Sequence, residues 1–231
     1  MKRKENRPFA LLPPYARTPL VLLVIIAALA YGGTRLITPE FTHFDFSLPI
    51  DARIPFVPAF TVIYVLAYVQ WVVGYILIAR ESREVCYRVL GGEIISKLIC
   101  MALFIIIPTA MVRAEITSED FFSRIVRFIY AVDAPDNLFP SIHCLESMVC
   151  LHGAMQMKKV GKWYLWFTLL FSALVCASTV LVKQHIIVDV AAGIAVCEIG
   201  QIISRRADVG RIFERIDARV RRGRGASQTR D

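Results

Sequence analysis

Six stretches of this chain are long and predominantly apolar, with short polar breaks between them. They run 18–37, 57–79, 93–113, 141–158, 163–182 and 186–204. A helix needs about 20 such residues to cross the hydrocarbon of a bilayer. The pattern therefore predicts an all-α, polytopic bundle of six transmembrane helices. The fourth run carries Glu146 and His152 and the sixth carries Asp189 and Glu198. Ionisable groups are costly against lipid, so both helices are expected to face protein. Beyond the sixth run, Val209, Ile212, Phe213, Ile216 and Val220 recur at helical spacing among arginines, as in an amphipathic helix lying on a membrane surface. The expected division is a cytoplasmic segment 1–17, a membrane domain 18–204 and a basic cytoplasmic tail 205–231.

Composition agrees with the pattern. The chain is 56% hydrophobic with a mean hydropathy of +0.55, outside the range of an ordinary soluble domain. The net charge of +8 is not matched by any nucleic-acid recognition motif, so no nucleic-acid partner is expected. Its basic residues instead sit beside apolar runs. Lys2, Lys4, Lys158, Lys159, Lys162, Arg3, Arg7, Arg17, Arg80, Arg83, Arg88 and the arginines from Arg205 to Arg230 fall on one side of the predicted bundle. The other side keeps Arg35, Arg53, Arg113, Arg124, Arg127 and Lys183. The positive-inside rule then places both termini in the cytoplasm of a multi-pass cell-membrane protein, with the tail on the anionic inner leaflet. The start Lys2-Arg3-Lys4 has the charge of a signal peptide. Pro13-Pro14 and the lack of a small-residue cleavage site favour a first membrane helix instead. The six cysteines have neither metal-ligand spacing nor a short disulfide framework, and read as small buried hydrophobes.

Candidate chemistry gathers on the sparsely basic side. His185 and Asp189 stand four residues apart, within reach of each other on one helix face. Pro140-Ser141-Ile142-His143 opens the fourth run. Ser141 is a capping type, and a helix start there would offer free N–H groups to an anion. Arg113 ends the third run, which Pro108 is expected to bend. Alone, Arg113 reads as a snorkelling interfacial cation. Joined to Ser178, Thr179 and Lys183 on the same side, it belongs to an inventory suited to phosphoryl transfer. Arg113 would grip phosphate in bidentate fashion, Ser141 would donate to it, and Lys183 would add a point charge. Asp189 would hold one nitrogen of His185 and leave the other to attack phosphorus, with His143 as general acid. Among the other buried polar residues, Glu146 either tunes His143 or pairs elsewhere. Lys97 and Glu198 are expected to form an ion pair, and His152 reads as a hydrogen-bonded bundle histidine. The first outer loop, Thr38 to Phe56, is either a rim for a lipid tail or a plain connector.

At these residues the chain resembles the type 2 phosphatidic acid phosphatase superfamily of membrane lipid phosphatases and phosphotransferases. That family's signature has three blocks: Lys-x6-Arg-Pro, Pro-Ser-Gly-His and Ser-Arg-x5-His-x3-Asp. Pro140-Ser141-Ile142-His143 matches the second, and Ser178-Thr179 with His185 and Asp189 matches the third. Arg113 alone answers to the first. The resemblance implies His185 as a nucleophile that becomes phosphohistidine, Asp189 as its orienter and His143 as general acid. It implies Arg113, Ser141, the backbone of Ile142, Ser178 and Thr179 as phosphate contacts, with no metal and no cofactor. Ile106 stands at the family lysine, Ala114 at the proline, Thr179 at the arginine and Ile142 at the glycine. Two family cations are thus absent, and Lys183 is the cation left to replace one. The Ser-Thr pairing and the bulky residue before His143 look more like the branch with inositol phosphorylceramide synthases. The expected activity is hydrolysis of a lipid phosphate or diphosphate at the extracytoplasmic face. Transfer of the phosphate to an alcohol such as inositol is the near alternative, and a non-catalytic scaffold or transporter the distant one. No oligomeric state follows from the sequence.

Overall fold

The computed structural model describes residues 11–216 together with 218 and 219. Among them the chain is all-helical, with no strand. The helices are α1 (Arg17–Ala28), α2 (Thr61–Glu81), α3 (Arg83–Ile106), α4 (Phe121–Val132), α5 (Ile142–Gln156), α6 (Lys162–Leu181) and α7 (Ile187–Arg206). A short π-helical turn, Leu29–Gly33, prolongs α1. Five spans among the described residues are long and apolar enough to cross a membrane: Pro14–Gly33, Pro58–Glu81, Arg83–Ile106, Lys162–Leu181 and Ile187–Arg206. Their outward faces carry exposed apolar side chains, including Val24, Val69, Val72, Trp166 and Leu170. That is the surface a hydrocarbon solvent selects.

The fourth predicted span differs. It forms α5, of 15 residues, about 22 Å long at 1.5 Å per residue and short of the bilayer core. Its surroundings explain the length. α5 packs on α2, α3, α6 and α7, and eleven of its residues, from His143 to Ala154, are buried. A helix enclosed by protein carries no requirement to match the lipid thickness. α3 also starts earlier than expected, at Arg83, where the Ser82 hydroxyl accepts the Val85 N–H at 3.1 Å. It stops at Ile106 rather than bending through Pro108, because the residue before a proline is pushed out of the helical region; Ile107 sits at φ −132°, ψ 65°.

Two further differences concern the loops and the tail. The loop between α3 and α5 contains an unanticipated helix, α4. Asp120 caps it by accepting the Phe122 and Ser123 N–H groups, and hydrogen bonds from the Ser123 and Ser118 hydroxyls hold the Asp120 carboxyl below its ordinary range. Phe121, Phe128 and Val132 lie on its exposed face. Residues 210–216 are helical as expected, yet Phe213 is buried, with its ring 5.1 Å from that of Tyr87 on α3. That side of the tail docks on the bundle while Ile212 stays exposed; Val220 lies outside the described residues.

The buried charges pair differently from the sequence expectation. Lys97 of α3 does not meet Glu198. Its ammonium bonds Glu146 of α5 and lies 3.5 Å from Glu93, and the Tyr75 hydroxyl donates to both carboxylates. Glu198 instead partners His152 at 2.8 Å, so His152 is the hydrogen-bonded bundle histidine that its position predicted. The reason is depth along the helices: Lys97 lies level with Glu146, whereas Glu198 lies level with His152, about two and a half α7 turns from Asp189. All six cysteines are free, and five of them are buried.

Candidate active site

The turn between α6 and α7 sets the local geometry. Lys183 takes a left-handed conformation, φ 55°, which folds the chain back so that the Gln184 and His185 N–H groups both donate to the Thr179 carbonyl, at 2.9 and 3.1 Å. This places His185 just before α7. One turn further on, Asp189 Oδ2 accepts both the Ile186 N–H and His185 Nδ1, each at 3.2 Å. One carboxylate oxygen therefore caps the helix and orients the imidazole. Since the carboxylate only accepts, Nδ1 is the donor and Nε2 is left for chemistry.

The start of α5 is held against this turn. The Ser141 N–H donates to the Asp189 carbonyl at 3.0 Å, and Ser141 Oγ caps α5 by accepting from Cys144 at 3.5 Å. α5 and α7 approach closely because residue 193 is glycine: a Cβ there would run into the Ser141 carbonyl. His143, in the first turn of α5, ends with its ring centroid 6.3 Å from that of His185. Three aromatic rings of α2 enclose it. Tyr64 stacks at 4.2 Å, Trp71 lies at 5.1 Å and Tyr68 meets it edge-on at 5.5 Å. His143 Nε2 is buried with no hydrogen-bond partner.

Both histidines line a cavity of about 600 Å³. Its walls are mostly apolar and aromatic: Tyr64, Tyr68 and Trp71 from α2, and Ile125, Phe128, Ile129 and Val132 from α4. Gln184, Asn137, Asp133 and Asp136 supply polar lining, and Lys97 reaches the wall from α3. Arg35 holds Asp133 at 3.1 Å and Asp136 at 2.6 Å, and the Tyr31 hydroxyl donates to Asp133. An apolar chamber with two imidazoles and few polar groups suits a molecule with a hydrocarbon part and one reactive head.

The other expected phosphate contacts are placed less directly. Arg113 donates through Nη1 to the Tyr130 and Asp133 carbonyls and through Nη2 to Gln184 Oε1 at 2.6 Å, with its guanidinium 4.5 Å from the Tyr130 ring centre. Tyr130 in turn donates to the Val182 carbonyl at 2.8 Å, so α4 braces the histidine turn. The Ser178 and Thr179 hydroxyls are spent on the carbonyls of Val175 and Cys176 within α6, at 2.7 and 2.8 Å. Lys183 turns toward the 38–56 loop, where its ammonium donates to the Asp51 and Ile54 carbonyls at 2.8 and 2.7 Å. Lys183 is therefore bound to the 51–54 backbone and is not among the residues that line the cavity. Sequence reasoning assigned nothing to Gln184 or to the aromatic enclosure of His143. The enclosure did leave a signal, since Tyr64, Tyr68 and Trp71 sit at i, i+4 and i+7 on one face of α2.

A helical membrane bundle that gathers two imidazoles and a carboxylate at one wall of an apolar chamber has the makings of an enzyme acting on lipid head groups. The comparison with known families places it further. The model of the PAP2 superfamily matches residues 36–203, and the chain belongs to that superfamily of phosphatase- and phosphotransferase-type enzymes. No curated protein and no solved structure matches it. The matched span begins just after the first membrane helix, reaches into α7 and holds Arg113, Ser141, His143, Gln184, His185 and Asp189, whereas Ala27 and Tyr31 of the cavity wall precede it.

Proposed function

We propose that the protein is a membrane-embedded phosphatase that hydrolyses a lipid phosphate or diphosphate through a phosphohistidine on His185. The observation that carries this reading is the arrangement of His185, oriented by Asp189, beside His143 at the wall of the apolar cavity. With the head group between the rings, His185 Nε2 attacks phosphorus and the bond to the lipid oxygen breaks. His143 delivers a proton to that oxygen. Water then attacks the phosphorus and gives a proton to His143; the new phosphorus–oxygen bond forms as the bond to His185 Nε2 breaks, which releases phosphate and returns His185 to its starting state. The first-turn N–H groups of α5, at Ile142 and His143, together with the cap at Ser141, provide donors for the phosphoryl oxygens. The chemistry runs on side chains alone and asks for no metal. The positive-inside distribution supports both termini in the cytoplasm and the site near the extracytoplasmic face.

One observation favours transfer to an alcohol as a second reading. Asn137 lines the cavity with its Oδ1 buried and unpartnered, an acceptor suited to orienting the hydroxyl of a polyol. The deciding experiment incubates the purified protein with phosphatidic acid or a polyprenyl diphosphate, with and without inositol. Inorganic phosphate formed without any phosphorylated polyol, together with polyprenyl phosphate when the diphosphate is the substrate, identifies the hydrolase, and a phosphorylated polyol identifies the transferase. In either case rapid quenching should trap an acid-labile, base-stable phosphoenzyme in the wild type and none in His185→Ala. Turnover that survives His185→Ala would sink the mechanism.

A further inference from the structure

We infer that the carboxamide of Gln184 is a direct phosphate-binding group of this site, and that Arg113 acts by orienting it. The inference rests on the phosphoryl-transfer reading and deepens it. Gln184 is 1% exposed and lines the cavity with its neighbour His185 and with His143. Its Oε1 accepts from Arg113 Nη2 at 2.6 Å. A guanidinium has no acceptor, so this bond sets the amide orientation and commits the –NH2 group to the other side. That Nε2 is buried without a partner. A buried amide donor left without an acceptor forfeits its hydration with nothing in return, and a second orphan, His143 Nε2, belongs to the same cavity wall. Unpaired polar atoms that cluster at one cavity mark where a ligand completes them. A phosphoryl group, which presents acceptor oxygens, fits a pair of N–H donors.

The same geometry says how the site manages without the missing cations. Thr179 and Ile106 cannot donate a charge, and Lys183 is held by the backbone carbonyls of Asp51 and Ile54 and does not line the cavity. Arg113 is occupied as well: both of its Nη atoms are bonded to protein and its Nε is buried with no partner. Its charge therefore reaches the substrate through the amide, polarising the Gln184 N–H groups in a hydrogen-bonded chain.

The test uses orthovanadate, a phosphate mimic, with the full-length protein in detergent. Wild type, Gln184→Met, Gln184→Glu, Arg113→Lys and the Arg113→Lys/Gln184→Met double variant are titrated. Gln184→Met keeps the volume and removes the donor; Gln184→Glu keeps a partner for Arg113, so it protects the fold while replacing the donor by an anion. The expected result is vanadate affinity about 10- to 100-fold weaker for Gln184→Met and no measurable binding for Gln184→Glu, each with thermal stability close to wild type. Arg113→Lys should weaken binding in the wild-type background and have no further effect in Gln184→Met, because one residue works through the other. Wild-type affinity in Gln184→Met overturns the inference while leaving the phosphohistidine reading intact. An Arg113→Lys effect that persists undiminished in Gln184→Met makes Arg113 a direct ligand and overturns the orienting role. A wild type that binds no vanadate and releases no phosphate removes the phosphoryl-transfer reading and this inference together.

Discussion

His185 and Asp189 illustrate how a single pair of side chains serves two ends. The Asp189 oxygen that accepts from His185 Nδ1 also caps α7 at Ile186. Replacement by asparagine would keep the shape and weaken both bonds, since a charged acceptor is roughly twice as strong as a neutral one. Asp189→Asn should lower the rate of phosphate release by about 100-fold or more, the usual scale for a misoriented general base or nucleophile, with a smaller loss of thermal stability. Steady-state kinetics and a melting curve in detergent separate the two effects. Phe substituted for Tyr64 keeps the stack on His143 and should change activity less than threefold. Ala at the same position opens the enclosure and should cost about 3–5 kcal/mol of stability, as for other buried aromatics; chemical denaturation reads it.

At the level of elements, the site is an agreement between α5 and α7, and glycines permit it. A Cβ at Gly193 meets the Ser141 carbonyl, whereas a Cβ at Gly200 meets the Gly92 carbonyl and Ser96 Oγ on α3. Both are backbone or tightly held atoms that cannot step aside cheaply, so each alanine substitution should destabilise by about 1–3 kcal/mol through overpacking. Their functional signatures should differ. Gly193→Ala pushes α7 away from the cap of α5 and should depress turnover beyond what the loss of folded protein explains. Gly200→Ala, far along α7, should leave the turnover of the remaining folded fraction close to wild type. Activity normalised to folded protein at low temperature distinguishes them, and equal losses would contradict the role given to Gly193. The hydrophobic pattern located these helices, α5 to within two residues at either end, but misjudged where α3 begins and ends. Periodicity reports a face, not the caps and neighbours that end a helix.

For the molecule as a whole, the Lys97, Glu146, Glu93 and Tyr75 network lies in the interior where α2, α3 and α5 meet. Removing one charge from such a network leaves the others uncompensated, at a cost of about 3–5 kcal/mol. Lys97→Met should therefore fail to yield a stable bundle, and Lys97→Met combined with Glu146→Gln should recover part of the loss. Size-exclusion profiles and melting temperatures provide the check. Orientation belongs to this scale too. With the basic end inside, a reporter active only in the cytoplasm should work when fused after Asp231 and fail when inserted in the 38–56 loop.

What the chain determined by itself was local or compositional. The apolar runs dictate an all-helical membrane protein because a bilayer leaves the backbone few other ways to satisfy its hydrogen bonds. The pairing of His185 with Asp189, and the Ser141 cap before His143, follow from spacings of three and four residues that the start of a helix turns into capping contacts. Tertiary structure decided whatever required a choice among chemically equivalent partners far apart in sequence. Lys97 had Glu198, Glu93 and Glu146 to choose from, and the depth of each along its helix settled it. Arg113 was equally able to reach a phosphate or an amide, and the path of the loop before α4 and the turn after α6 put it on Gln184. Lys183 carried the right charge for the site, and the carbonyls of Asp51 and Ile54 took its ammonium instead.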